Sequence, residues 1–131
     1  MNPPTNKQII VSEIADYYLD DDGNLVSLSK PVKRTVENII ANMALVKSIT
    51  NNQKVPLLIF LCNSPIPDKA TRQFSTKVLP EIYSAMAMVS KPGLAKFIMN
   101  ILFALKPPPI PMKSFTGEDE TRVWLKQFVV D

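Results

Sequence analysis

The sequence predicts an α/β fold, a mixed β-sheet covered by helices, with elements in the order ββαβαβαβα. Three observations predict it. Apolar residues recur at helical spacing at Val32, Val36, Ile39, Ile40, Met43 and Val46. The short unbroken run Leu57-Leu58-Ile59-Phe60-Leu61 has the composition of a strand buried on both faces, as in a sheet with helices on it. Stretches of these two kinds then alternate along the chain, which implies strands joined by helical crossovers.

Taken in order, residues 1–7 read as a loose tail and 8–131 as one domain, since 131 residues suit a domain of ordinary size. Residues 9–19 are rich in β-formers with partial alternation. Asp20-Asp21-Asp22-Gly23-Asn24 is a turn, because Asp-Gly reaches positive φ cheaply, and Leu25 to Leu28 returns to complete an N-terminal β-hairpin. Pro31 opens a helix over 31–48, at a position where a missing N–H costs nothing, and Asn51-Asn52 ends it. Residues 54–62 form the central strand, and after the loop Asn63-Ser64-Pro65-Ile66-Pro67 the carboxylate of Asp68 caps a helix running to Val78. Pro80 and Glu81 begin a connection into a core strand over 83–89.

A third helix spans 93–105 and is apolar nearly all round; the prolines 107–109 stop it. A short strand over 110–115 follows, placed at a sheet edge by Pro111. Thr116 then caps a last helix, with Glu118, Asp119 and Glu120 in its first turn, where the helix dipole favours anions. Val123, Trp124, Leu125 and Phe128 are expected to pack inward.

Composition excludes several chemistries. The chain has no histidine, which removes Ser-His-Asp and Cys-His catalysis and every histidine-containing metal site. Its one cysteine, Cys62, cannot form an internal disulfide or a thiolate cluster, and reads as a small buried apolar residue. Its three glycines are far apart, so no glycine-rich phosphate cradle exists. No catalytic residue, cofactor site or metal site is therefore expected. The charge is uneven: residues 1–22 sum to −4, residues 23–113 to +9 and residues 114–131 to −2. The basic residues are scattered singly, as on a solvated surface, and no basic stripe interleaves with aromatics, so nucleic acid is not an expected partner. The N-terminus lacks the apolar core of a signal peptide and no apolar run reaches the roughly 20 residues of a membrane span, which gives a cytoplasmic expectation.

The segment Ala85-Met86-Ala87-Met88-Val89-Ser90-Lys91-Pro92, the run Phe97 to Phe103, Lys106-Pro107, Pro111, and Phe115-Thr116 leading to Trp124-Leu125-Lys126-Gln127-Phe128 carry a resemblance. The chain resembles a bacterial family of STAS-like single domains, similar in fold to the SpoIIAA-type anti-sigma-factor antagonists. The resemblance implies a STAS-like mixed sheet with an N-terminal β-hairpin and a regulatory role. The antagonists carry a phosphorylatable serine in an Asp-Ser-Ser-Gly-like stretch where the central strand meets its helix. Here that stretch reads Asn63-Ser64-Pro65-Ile66-Pro67-Asp68, with no Ser-Gly pair, so the phosphorylation switch does not carry over.

The expected function is a non-catalytic protein-interaction module. Between Gly93 and Leu105 only Lys96 and Asn100 are polar, too little for a free solvent-facing helix. The expected interaction surface is Leu94, Phe97, Ile101 and Leu105 with Lys91 and Lys96 beside them, and the expected partner is a second copy of the chain, as a homodimer, or another protein. The alternative is a lipid- or membrane-associated domain with an apolar ligand pocket. Lysines flank the apolar helix, and the fold implied by the resemblance is also similar to CRAL-TRIO lipid-exchange domains.

Overall fold

The computed structural model describes residues 7–91, 93–94, 96–97, 100 and 109–129. Its frame is one six-stranded sheet with the strands in sequence order: β1 Ile10–Val11, β2 Ala15–Leu19, β3 Leu25–Ser29, β4 Val55–Phe60, β5 Tyr83–Val89 and β6 Met112–Phe115. The first three strands are antiparallel; β3 to β6 are parallel to one another. Three α-helices have both ends among the described residues: α1 Val36–Ile49, α2 Lys69–Ile82 and α3 Glu118–Leu125, the last continued by a short 3₁₀ turn, Lys126–Phe128. The mixed α/β architecture expected from the sequence is what the chain adopts.

Alternation along the strands divides the core in two. Tyr17, Leu25, Leu57 and Met86 point to one face, with Val46 of α1 and Ile82 of α2 packed on them. Tyr18, Val26, Leu58 and Ala87 point to the other, where Leu125 of α3 covers them. Successive strand residues face opposite sides, so a sheet apolar on both faces needs helices on both. The result is three layers, helix, sheet and helix. β4 has a parallel partner on each side, and Leu57 and Leu58 are buried as expected of a central strand. Ile59 and Phe60 are only half-buried.

The local differences from expectation have local causes. The N-terminal β-rich stretch is two strands, not one, because the Ser12 backbone N–H donates to the Ala15 carbonyl at 3.0 Å and the Ala15 N–H donates back to the Ser12 hydroxyl at 3.2 Å. The N-terminal hairpin is thus a three-stranded meander. α1 begins at Val36, not at Pro31, because Thr35 and Asn38 form a reciprocal capping box there, at 3.1 and 2.8 Å. It ends where expected: Asn51 and Asn52 both take positive φ, 55° and 62°.

α2 is capped by Asp68, whose carboxylate accepts the Thr71 N–H at 2.8 Å, but runs through Pro80 to Ile82 and passes directly into β5. Pro80 lies in the last turn, where few residues remain to be disturbed. α3 has Gly117 at its N-cap with no side-chain cap, so Thr116 stands one residue too early to serve. Leu125 is buried, but Val123 is 69% exposed, and Trp124 and Phe128 are half-buried, their rings tilted 58° to each other with centroids 4.8 Å apart.

Candidate functional site

The face of the sheet covered by α1 and α2 is incompletely filled. At the carboxyl ends of β4 and β5 lies a chamber of about 270 Å³. Its floor is Ile59, Met86, Met88 and Met112 from three adjacent strands; one wall is Ser75 and Leu79 of α2, and the rim is residues 61–67 with Leu94 and Phe97. A second chamber of about 190 Å³ lies further in, between the sheet and α1 and α2, and shares Ser29, Arg34, Ile59, Ser75, Leu79 and Met86 with the first. Both are predominantly apolar. In open α/β sheets, ligands bind outside the carboxyl ends of the strands.

Arg34, in the loop before α1, lines both chambers. Its Nη1 donates to the carbonyls of Lys30 at 2.7 Å and Val32 at 2.6 Å, and its Nη2 to the carbonyl of Ile14 at 3.0 Å. These bonds fold the loop against the β1–β2 turn. None of the ion pairs among the described residues involves Arg34. Burial draws the guanidinium's pKa below its ordinary value, while Cys62 and Tyr17 act in the opposite direction. Deeper in, the Asn42 amide donates to the Tyr17 hydroxyl at 2.8 Å. Burial raises the pKa of Tyr17, and raises that of Tyr83 strongly.

Cys62 is not the sealed core residue expected. It is half-buried on the wall of the outer chamber, and its Sγ donates to the Ser29 carbonyl at 3.3 Å. Ser64 is exposed on the rim.

The structure divides the expected interaction residues. Leu94 and Phe97, both helical, line the outer chamber, and Phe97 is 52% exposed. Ile66, which lines the same chamber, is 52% exposed as well. Lys91 and Lys96 are exposed and line a different, shallow groove with Lys113, Phe115 and Thr116. There the Lys113 ammonium stands 5.4 Å from the centroid of the Phe115 ring. Ile101, Leu105 and most of the expected 93–105 helix lie outside the described residues. The sequence reading missed Ile66 and Arg34. An arginine beside Lys33 after a proline looks like a surface residue; only the folding of its loop turns it inward.

Among the described residues no group of three or more His, Cys, Asp or Glu side chains could hold a metal ion, and no helix is long and apolar enough to cross a membrane. The profile of a family described as a domain of unknown function, DUF7793, matches residues 17–129. An uncharacterised protein of the DUF3478 family from Shewanella loihica, described as having a SpoIIAA-like fold, superposes with a TM-score of 0.51 at 16% identity, over 95% of this chain and 98% of that one. That likeness shows the fold: a SpoIIAA-like mixed sheet, as the resemblance implies. No functionally curated protein matches the chain.

Proposed function

Since the chain belongs to the DUF7793 family, a domain of unknown function, and carries a SpoIIAA-like fold, we propose that it is a non-catalytic interaction module in which two copies pair through the rim of the outer chamber. The observation that carries this reading is the pair of exposed apolar side chains, Ile66 and Phe97, that line the same chamber. Single exposed apolar residues are ordinary; two large ones framing an apolar cleft form a patch that water covers poorly. Covering both would contribute on the order of 1.5–3 kcal/mol each before the costs of association. A second copy is the simplest cover, because two-fold pairing lets one patch meet its own image.

The polar chemistry agrees with a module that does not catalyse. The chain has no histidine. The carboxylates of Asp20, Asp68 and Glu118 are engaged in a turn, a cap and an ion pair. Ile66→Glu combined with Phe97→Glu is expected to keep native circular dichroism and abolish pairing in sedimentation equilibrium.

A second reading rests on the groove with Lys91, Lys96 and Lys113. Three cations in one groove with Phe115 suit an anionic lipid surface. Co-sedimentation with phosphatidylserine vesicles, lost when the three lysines become glutamine, would favour it over pairing.

A further inference from the structure

We propose that the two chambers beneath the rim form one site for an apolar carboxylate, held by Arg34 at the chambers' shared wall. The hydrocarbon body lies among Ile59, Leu79, Met86, Met88 and Met112. The inference does not depend on the pairing of chains.

Four observations carry it. The chambers, about 270 and 190 Å³, share six lining residues and so adjoin. Together they fall in the size range of small-molecule sites, about 300–1,000 Å³. Their walls are largely apolar, and the floor is rich in methionine, whose unbranched side chain adapts to irregular or varied occupants. Among the described residues, the charge on Arg34 is met by three neutral carbonyls and no carboxylate. A guanidinium has five N–H donors, so two, one on Nε and one on Nη2, are left by these three bonds. A charge drawn partly out of water is costly unless paired. The hydroxyl-bearing side chains of Ser29 and Ser75 stand on the same shared wall as Arg34. One cation with two remaining donors suits a monoanionic head with two oxygens. A more highly charged head would call for further cations. The lysines that could supply them, Lys91, Lys96 and Lys113, lie in the separate groove.

Arg34 also fastens its loop, so the test must separate anchoring from structure. Protein carrying labelled methionine methyl groups is titrated with decanoate, decanol and decylamine, each below its micelle concentration. The Met86, Met88 and Met112 methyl signals are expected to shift saturably with decanoate, to respond to decanol at least about tenfold more weakly, and to ignore decylamine. Arg34→Gln is expected to bring decanoate down to the level of decanol and leave decanol unchanged. If that variant does not fold, the comparison of the three ligands on the native chain still decides. Decanol binding as tightly as decanoate would remove Arg34 as the anchor. No saturable shift at those methionines, or equal drift of every methionine signal, would overturn the site itself. Pairing is read separately by sedimentation of the rim variant, so either claim can fail while the other stands.

Discussion

Asp20 engages both of its carboxylate oxygens. Its Oδ1 accepts the N–H groups of Asp22 at 3.0 Å and Asn24 at 2.8 Å, which shapes the β2–β3 turn. Its Oδ2 accepts from the Asn24 amide at 3.0 Å and from Arg122 of α3, so the same side chain ties the hairpin to the last helix. Arg122 is shared with Glu118 one turn earlier, at 2.9 Å. Asp20→Ala leaves two backbone donors and a part-buried guanidinium short of an acceptor. It is expected to cost about 2–3 kcal/mol in urea unfolding. Arg122→Met should cost less, and the double variant should fall short of the sum of the two because they share one bond. In the same turn Gly23 holds φ at +87°, and a Cβ there would meet Val129 Cγ1 at 3.4 Å. Gly23→Ala is therefore expected to destabilise by roughly 1–2 kcal/mol, the cost of a left-handed conformation for a residue with a side chain.

At the scale of elements, the regular parts of the chain were legible because their signals are local. Asp-Gly made the turn, Asp68 capped α2, Asn51-Asn52 closed α1, and the apolar run at 57–61 held the centre of the parallel sheet. Boundaries were misread where two local signals competed. Pro31 was a reasonable helix start, but Thr35 and Asn38 satisfy each other four residues later, and the reciprocal bonds decide. Thr35→Ala is expected to lose about 1 kcal/mol, measured by thermal or urea unfolding. Pro80 was read as a break, yet a proline in a last turn disturbs little. The candidate site was legible only in part. Leu94 and Phe97 could be chosen from helical spacing, but Ile66 and Arg34 reach the cleft by the path of loops, which carries no periodicity. Val123 was placed inward although α3 has a narrow contact with the sheet, through Thr121 and Leu125 alone among its buried residues.

At the scale of the whole molecule, the sheet is stabilised from both faces at once. Leu58 is fully buried beneath α3, in contact with the cluster of Tyr18, Val26 and Ala87. Leu58→Ala is expected to cost about 2–5 kcal/mol, the range for a large side chain removed from a core. All three tyrosines lie in the core, and burial raises the pKa of each above its ordinary value near 10.0. A phenol that stays protonated longer in the folded state than in the unfolded one supports the fold fully below pH 10 or so. That support fades as pH rises further, through the folded value. Phenolate absorbance should therefore stay low through the ordinary tyrosine range and rise together with the loss of circular dichroism. A tyrosine ionising near pH 10 in a chain that is still folded would contradict the packing of the sheet.

The two exposed residues at the mouth of the cleft bear most directly on what the molecule does. Sedimentation equilibrium of the native chain, beside the Ile66→Glu and Phe97→Glu double variant, measures whether that rim is a working surface. The native chain is expected to sediment as a dimer in reversible equilibrium with monomer, and the folded variant as monomer alone. A native chain that stays monomeric at every concentration, or a folded variant that pairs as well as the native chain, would contradict the assignment of the rim as the pairing surface.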